Sequence, residues 1–288
     1  MSSTQEIKGR INTISNIRKI THAMELVSSN KLLKAKKEFN NIKNYVEQID
    51  QTIEALATHM TKNEIDDHFS VPSTGKNLYI IIGSDLGLAG SHNSNIIKLA
   101  KKTVGKQDLM ILVGLKVIHA LDKHKEQIVK MYSDVTSNYD QITREIIPWI
   151  IKNIQEHNLR NVYVIYNKYV NNLIQEESVL NLYPFEIKQD NDYKHTYLDD
   201  IKIVSLIEFE PSAKAVFDEA LPLFLTAKLS NCFANSTVSE LASRRQAMEK
   251  ATDNAGELIE DLKLEFNRKR QSNITQELNE IVAGADAV

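Results

Sequence analysis

Apolar positions at the two ends of the chain recur in steps of three and four, and between the ends the pattern changes. Toward the C-terminus the seam runs through Val238, Leu241, Met248, Ala255, Ile259, Leu262 and Phe266, then resumes after a phase shift at Ile274, Leu278 and Ile281. No proline interrupts Ser236 to Val288. This is the period of a long helix with an apolar stripe along one side. A single helix cannot bury its own stripe, so it needs a partner. The other stretch of similar length and period is Thr4 to Met60, with Ile7, Ile11 and Ile14 setting the phase and Met24 and Val27 carrying it on. Ala35, Phe39, Ile42, Val46, Ile49, Ile53, Leu56 and Met60 complete it. Thr4 is the expected N-cap, and the seam breaks at Ser28 to Lys31. At about 1.5 Å per residue this helix would be roughly 85 Å long. It either protrudes as a rod or is enclosed by something else. The two ends are expected to pair antiparallel.

The middle has another texture. Leu78–Ile82, Leu109–Val113 and Val162–Tyr166 are short apolar runs of the kind found in buried parallel strands. Helical patterns fill 93–104, 115–124 and 139–157, the last expected to kink at Pro148. Strand and helix in alternation predict an α/β domain with a parallel sheet. Ser178–Pro184 and Ile203–Phe209 are candidate edge strands, with a polar acidic loop at Gln189–Asp200 between them. The return helix starts at Pro211-Ser212 and should bend at Pro222. The organisation predicted is a helix over 1–62, a linker over 63–76 containing Pro72 and Gly75, an α/β domain over 77–210 and a helix over 211–288.

Composition narrows the function classes. A hydrophobic content of 42% with 25% charged residues is enough for a buried core. The net charge of -3 gives no global sign of a nucleic-acid binder. The single cysteine, Cys232, leaves no internal disulfide; on a helix it reads as a small buried apolar residue. No secretory or transit pattern opens the chain. No run approaches the ~18 apolar residues that span a bilayer, so any membrane link is expected to go through partners. Charge is uneven, however. Residues 1–37 carry eight Lys/Arg against two Glu. These cations form either a solvated face or a sleeve against acidic partner surfaces; without interleaved aromatics they do not suggest nucleic acid.

The best candidate for chemistry is Gly83-Ser84-Asp85-Leu86-Gly87-Leu88-Ala89-Gly90, which follows the first strand. Glycine-rich loops at strand ends can cradle phosphate. The spacing here, G-x-x-x-G-x-x-G, is neither the dinucleotide fingerprint nor a P-loop, and a tight turn onto the next helix explains it better. Ser91-His92 is not a triad, and no G-x-S-x-G elbow exists. The histidines are scattered, and His119 and His124 are spaced wrongly for one helix face. Asp66-Asp67 and Asp199-Asp200 fall in polar loops. The less easily dismissed polar groups lie in the rods. Arg244 and Arg245 interrupt a seam of Val238, Leu241 and Met248, so they either reach past the partner helix or meet something outside the pair. Gln271, Thr275, Gln276 and Glu277 crowd a helix whose apolar side has thinned to Ile274, Leu278 and Ile281. A helix end of that kind is not stable alone; something should surround it.

ATDNAGELIEDL at 251–262 and RQSNITQELNEIVAGA at 270–285 resemble the C-terminal helix of the gamma subunits of F-type ATP synthases. IRKITHAMELVSSNKL at 17–32 is similar to that family's other rod helix, and GSDLGLAGSHN at 83–93 to its loop after the first strand. The resemblance implies two long terminal helices in an antiparallel coiled coil, flanking a small Rossmann-like α/β domain. It implies a rotor shaft without an active site or cofactor of its own, ATP, ADP and Mg being held by alpha and beta subunits. The implied partners are three alpha and three beta subunits, the epsilon subunit and the c-ring, on the cytoplasmic face of a bacterial plasma membrane. Matched position by position, contacts with beta fall on Arg244, Gln271, Thr275, Glu277 and Met24, and the basic sleeve includes Arg18, Lys19, Lys31 and Lys34. The sequence departs from the family at His22, often lysine in relatives, and at Leu86 and Ala89, where S-D-R-G-L-C-G has arginine and cysteine. Two other classes remain: an α/β enzyme with a stalk, which would bind a nucleotide, and a coiled-coil tether, which would self-associate.

Overall fold

A computed structural model describes residues 3–58, 75–184, 210 and 212–285. Residues 63–74 of the predicted 63–76 linker, the loop at Gln189–Asp200, the candidate strand Ile203–Phe209 and Met60 lie outside them. Two long helices, α1 (Thr4–Thr58) and α5 (Ala213–Ala285), bracket an α/β region. In that region the order is β1 (Lys76–Ile82), α2 (His92–Thr103), β2 (Leu109–Val113), α3 (Leu115–Leu121), a 3-10 turn, β3 (Ile128–Tyr132), α4 (Val135–Gln155), β4 (Leu159–Tyr169) and β5 (Gln175–Tyr183). The linker boundary moves slightly, because Lys76 already pairs in β1.

The N-cap of α1 is Ser3, not Thr4. Its hydroxyl accepts from the Glu6 N–H at 3.1 Å while the Glu6 carboxylate accepts from the Ser3 N–H at 2.9 Å, a reciprocal capping box. Ser212 caps α5 by accepting from Ala215 N–H. Pro148 and Pro222 both sit inside unbroken helices. Each removes one donor from the ladder, but neither divides its helix into two elements.

By contacts the chain forms two compact units, Leu32–Ser243 and Met1–Lys31 with Arg244–Val288. The larger unit is built on a sheet of order β3-β2-β1-β4-β5. The first four strands are parallel, and β5 is antiparallel to β4. Side chains alternate across a strand, so Leu78, Ile80 and Ile82 face one way and Tyr79 and Ile81 the other. The first set packs with Ile142, Ile146 and Ile150 of α4, Ile53 and Leu56 of α1, and Phe217, Leu225 and Phe233 of α5. The second packs with Ile96 and Ala100 of α2 and Val117 and Leu121 of α3. Each such side chain is worth about 1.5–3 kcal/mol on leaving water, which explains why the apolar runs were readable as strands. Strand β3 was not among the strands expected from the sequence. Its residues are only half-buried in alternation, and it holds one edge of the sheet.

In the larger unit α1 and α5 run antiparallel: Lys228 pairs with Asp50 at 2.6 Å, while Leu32 packs with Val238, Leu241 and Ala242. The smaller unit repeats that direction. Thr252 Oγ1 donates to Thr21 Oγ1 at 2.9 Å, and the Arg18 guanidinium lies over Gly256, where a Cβ would meet it at 3.6 Å.

Candidate functional site

The carboxyl end of a parallel sheet, beside the strand where the winding reverses, is where such folds seat ligands. Here that place lies between β1 and β4. The loop after β1 turns in close contact with the loop after β2. A Cβ on Gly83 would stand 2.2 Å from Val117 Cγ2, so α3 can approach only because residue 83 is glycine. Gly114 is equally confined, with φ 99 and the Gly83 carbonyl 2.8 Å from where its Cβ would be.

Asp85 occupies the position an anion would take. One carboxylate oxygen accepts from Leu115 N–H at 3.0 Å, and the other from Val135 N–H at 2.9 Å. These are the first residues of α3 and α4, so one side chain satisfies a donor at both helix N-termini and meets the positive end of each dipole. A phosphate would have to displace it. The neighbouring crevice is filled as well. Asn93 Oδ1 accepts from Ser84 N–H at 3.0 Å, and Asn167 Nδ2 donates to the His92 carbonyl at 3.0 Å while lying 2.8 Å from its Nδ1. Ser239 of α5 donates to the Asn167 carbonyl at 3.1 Å. What surfaces from this loop is apolar: Leu86 is 66% exposed and Leu88, at φ 60, 61%.

Cys232 is buried, and burial pushes its thiol well above the ordinary range. Among the described residues no group of three His, Cys, Asp or Glu could hold a metal ion. Burial also raises Tyr132 and Tyr139; each donates to a carboxylate, Glu145 at 2.8 Å for the former and Glu38 of α1 for the latter.

Of the residues singled out in the rods, Thr275 and Gln276 line an open hollow on α5 with Ser272, Asn279 and Glu280. Gln271, Thr275 and Glu277 lie exposed on α5, and Thr275 turns its hydroxyl back onto the Gln271 carbonyl at 2.9 Å. Around them Ile274, Leu278, Ile281 and Val282 are exposed too. Arg18, Lys19, Lys31 and Lys34 are exposed on α1, and Met24 is half-buried. Arg244 differs, with only 7% of its surface accessible. Arg245 reaches Glu249 at 3.7 Å, but among the described residues its buried Nε has no hydrogen-bond partner. These residues lie along α1 and α5.

Comparison with known proteins settles the family. An ATP synthase family profile matches residues 3–288. The ATP synthase gamma chain of Mycoplasmopsis agalactiae is 42% identical over 292 residues and that of Mycoplasmopsis synoviae 42% over 291, each alignment covering essentially all of both chains. The chain belongs to the ATP synthase gamma-chain family. The fold agrees. A chain of the mitochondrial ATP synthase of Euglena gracilis superposes with a TM-score of 0.70 at 16% identity, covering 99% of this chain and 94% of that one. A chain in the rotor of the same organism's enzyme gives 0.65 at 18%, over 94% and 98%. In the loop after β1 of this gamma-family chain Leu86 is exposed and Ala89 is buried in the turn.

Sequence reasoning passed over two sets of residues. Asp85 was visible only as part of a motif, since its two partners are 30 and 50 residues away. Asn235, Ser239 and Ser243 lie four apart on a helix face, but other polar residues flank them, and that spacing was the available signal.

Proposed function

We propose that the chain is the central rotor shaft of a bacterial F-type ATP synthase and performs no chemistry itself. Its coil is enclosed by a ring of three alpha and three beta subunits, and its α/β region meets an epsilon subunit and the c-ring. ATP, ADP and Mg belong to the ring subunits. Rotation of an asymmetric shaft favours a different state of each catalytic site at each angle, a population shift imposed by contact. The observation that carries this reading is the last part of α5. Ile274, Leu278, Ile281 and Val282 stand exposed beside Gln271, Thr275 and Glu277, and such a surface gains stability only when something encloses it. The filled crevice at the sheet supports the non-catalytic part, because the position for a bound phosphate is held by Asp85.

In this reading Met24, Arg244, Gln271, Thr275 and Glu277 contact beta, and Arg18, Lys19, Lys31 and Lys34 face acidic surfaces of the ring. Attachment to the cytoplasmic face of the plasma membrane is through partners; among the described residues no helix is long and apolar enough to cross a membrane. The test is Gln271→Ala with Thr275→Ala in membranes carrying the assembled complex. Both residues are exposed in the chain, so its thermal unfolding should not change while ATP synthesis falls several-fold. Synthesis at the level of the unmodified complex would overturn the assignment of these contacts.

A further inference from the structure

If the chain is a shaft, torque must pass between its α/β region and its long helices, and the larger unit shows where. On α5, Asn235, Ser239 and Ser243 are four residues apart, so they form one stripe along a single helix face. Each bonds to the β4–β5 hairpin. Asn235 Oδ1 accepts from Tyr169 N–H at 3.2 Å, Ser239 Oγ donates to the Asn167 carbonyl at 3.1 Å, and Ser243 Oγ donates to Gln175 Oε1 at 2.8 Å. The stripe is buried, with Ser239 at 0% and Asn167 at 2% exposure. The same hairpin grips α1. The Tyr169 ring packs edge-on against Phe39 and under Lys36 Nζ, and that ammonium donates to Asn172 at 2.6 Å.

Phe217, Leu225, Leu229 and Phe233 meet the sheet within an apolar cluster. Apolar burial is non-directional. A buried hydrogen bond is directional, and turning the helix by one residue would strand all the donors and acceptors of the stripe away from water at once. We infer that the β4–β5 hairpin is the torsional key of the molecule, locking the α/β region to both long helices through the Asn235–Ser239–Ser243 stripe and Tyr169. This rests on the shaft reading. Asn235, Ser239 and Ser243 are positioning residues: they fix the angle at which the α/β region drives the rod and touch no nucleotide.

The experiment uses the complete membrane-bound complex carrying Asn235→Ala, Ser239→Ala and Ser243→Ala together, with Ser243→Ala and Asn235→Ala also made singly in case the triple variant does not assemble. ATP hydrolysis, ATP-driven ion pumping and thermal stability are measured in parallel. A key predicts hydrolysis within about twofold of the unmodified complex and at least a threefold fall in ions pumped per ATP, with smaller falls in the single variants. A ratio unchanged in every variant that assembles, with or without lower thermal stability, would make the stripe merely structural and overturn the inference. Failure of the unmodified chain to co-assemble with ATPase subunits would instead remove the shaft reading on which it rests.

Discussion

The two units solve the same problem, burying one face of a long helix, in opposite ways. In Leu32–Ser243 the helices lie on a sheet, apolar groups are withdrawn from water on both of its faces, and buried polar groups such as Asn167, Asn235 and Ser239 have partners. In Met1–Lys31 with Arg244–Val288 the helices have mainly each other. Ile7, Met248, Ala255, Ile259 and Leu262 are buried, but Ile17, Ile20, Leu26, Val27, Leu258 and Leu264 remain exposed with the four apolar residues near the end of α5. The larger unit also exposes apolar side chains, Leu33, Leu86, Leu88 and Leu173 among them, but its core is centred on a sheet, whereas the smaller unit's buried residues form a seam between two helices.

The comparison can be broken most severely at Asp85. Asp85→Ala removes one acceptor from each of two helix N-termini, and at about 1 kcal/mol per cap plus the cost of stranded donors the loss should be about 2–4 kcal/mol. Hydrogen exchange of the isolated chain should show it in β1, α3 and α4 and not in the coil of residues 3–31 and 244–285. A uniform loss across both units would mean that they are not independent in stability.

Alkaline pH should sharpen the contrast more gently. Tyr79, Tyr132, Tyr139, Tyr166 and Tyr183 all have their hydroxyls raised above the usual value of 10, first by burial, and all belong to the larger unit. Folding thus holds the neutral form. Its contribution is complete below the unfolded pKa and is lost as pH rises beyond about 10, where the unfolded chain ionises first. The smaller unit has no tyrosine. Exchange protection should therefore fall in the sheet before the coil when pH is raised past 10; the reverse order would refute the assignment. The smallest effect is expected at the end of α5. Ile274→Ser with Leu278→Ser should change the isolated chain by no more than about 0.5 kcal/mol, as for other surface substitutions. A larger loss, read by thermal unfolding, would show that these side chains already have a covering within the chain.

Much of this architecture was legible because helix and strand periods are local. The apolar runs at 78–82 and 109–113 gave buried strands, and the seams at both ends gave the long helices. What failed was non-local or weakly apolar. Strand β3 is a short edge strand interrupted by Lys130, and its pairing to β2 places it in the sheet. Ser3 displaced Thr4 as the cap because Glu6 completes the reciprocal bond with residue 3. Among candidate site residues, Gln271, Thr275 and Glu277 could be marked from their place on a thinning seam and Arg244 from interrupting one, yet how deeply Arg244 is buried depends on what packs around it. The stripe at Asn235, Ser239 and Ser243 becomes meaningful only when the hairpin that faces it is known.

The double cap at Asp85 also bears on what this fold can become. A chain with a glycine loop after its first strand stands one turn away from a phosphate site, and gaining one would ordinarily be a matter of adding donors. Here the donors exist and are already taken by the chain's own carboxylate. Any descendant that binds a nucleotide at this loop must first discard Asp85 and survive the loosening of two helices, so the route to catalysis begins with a loss.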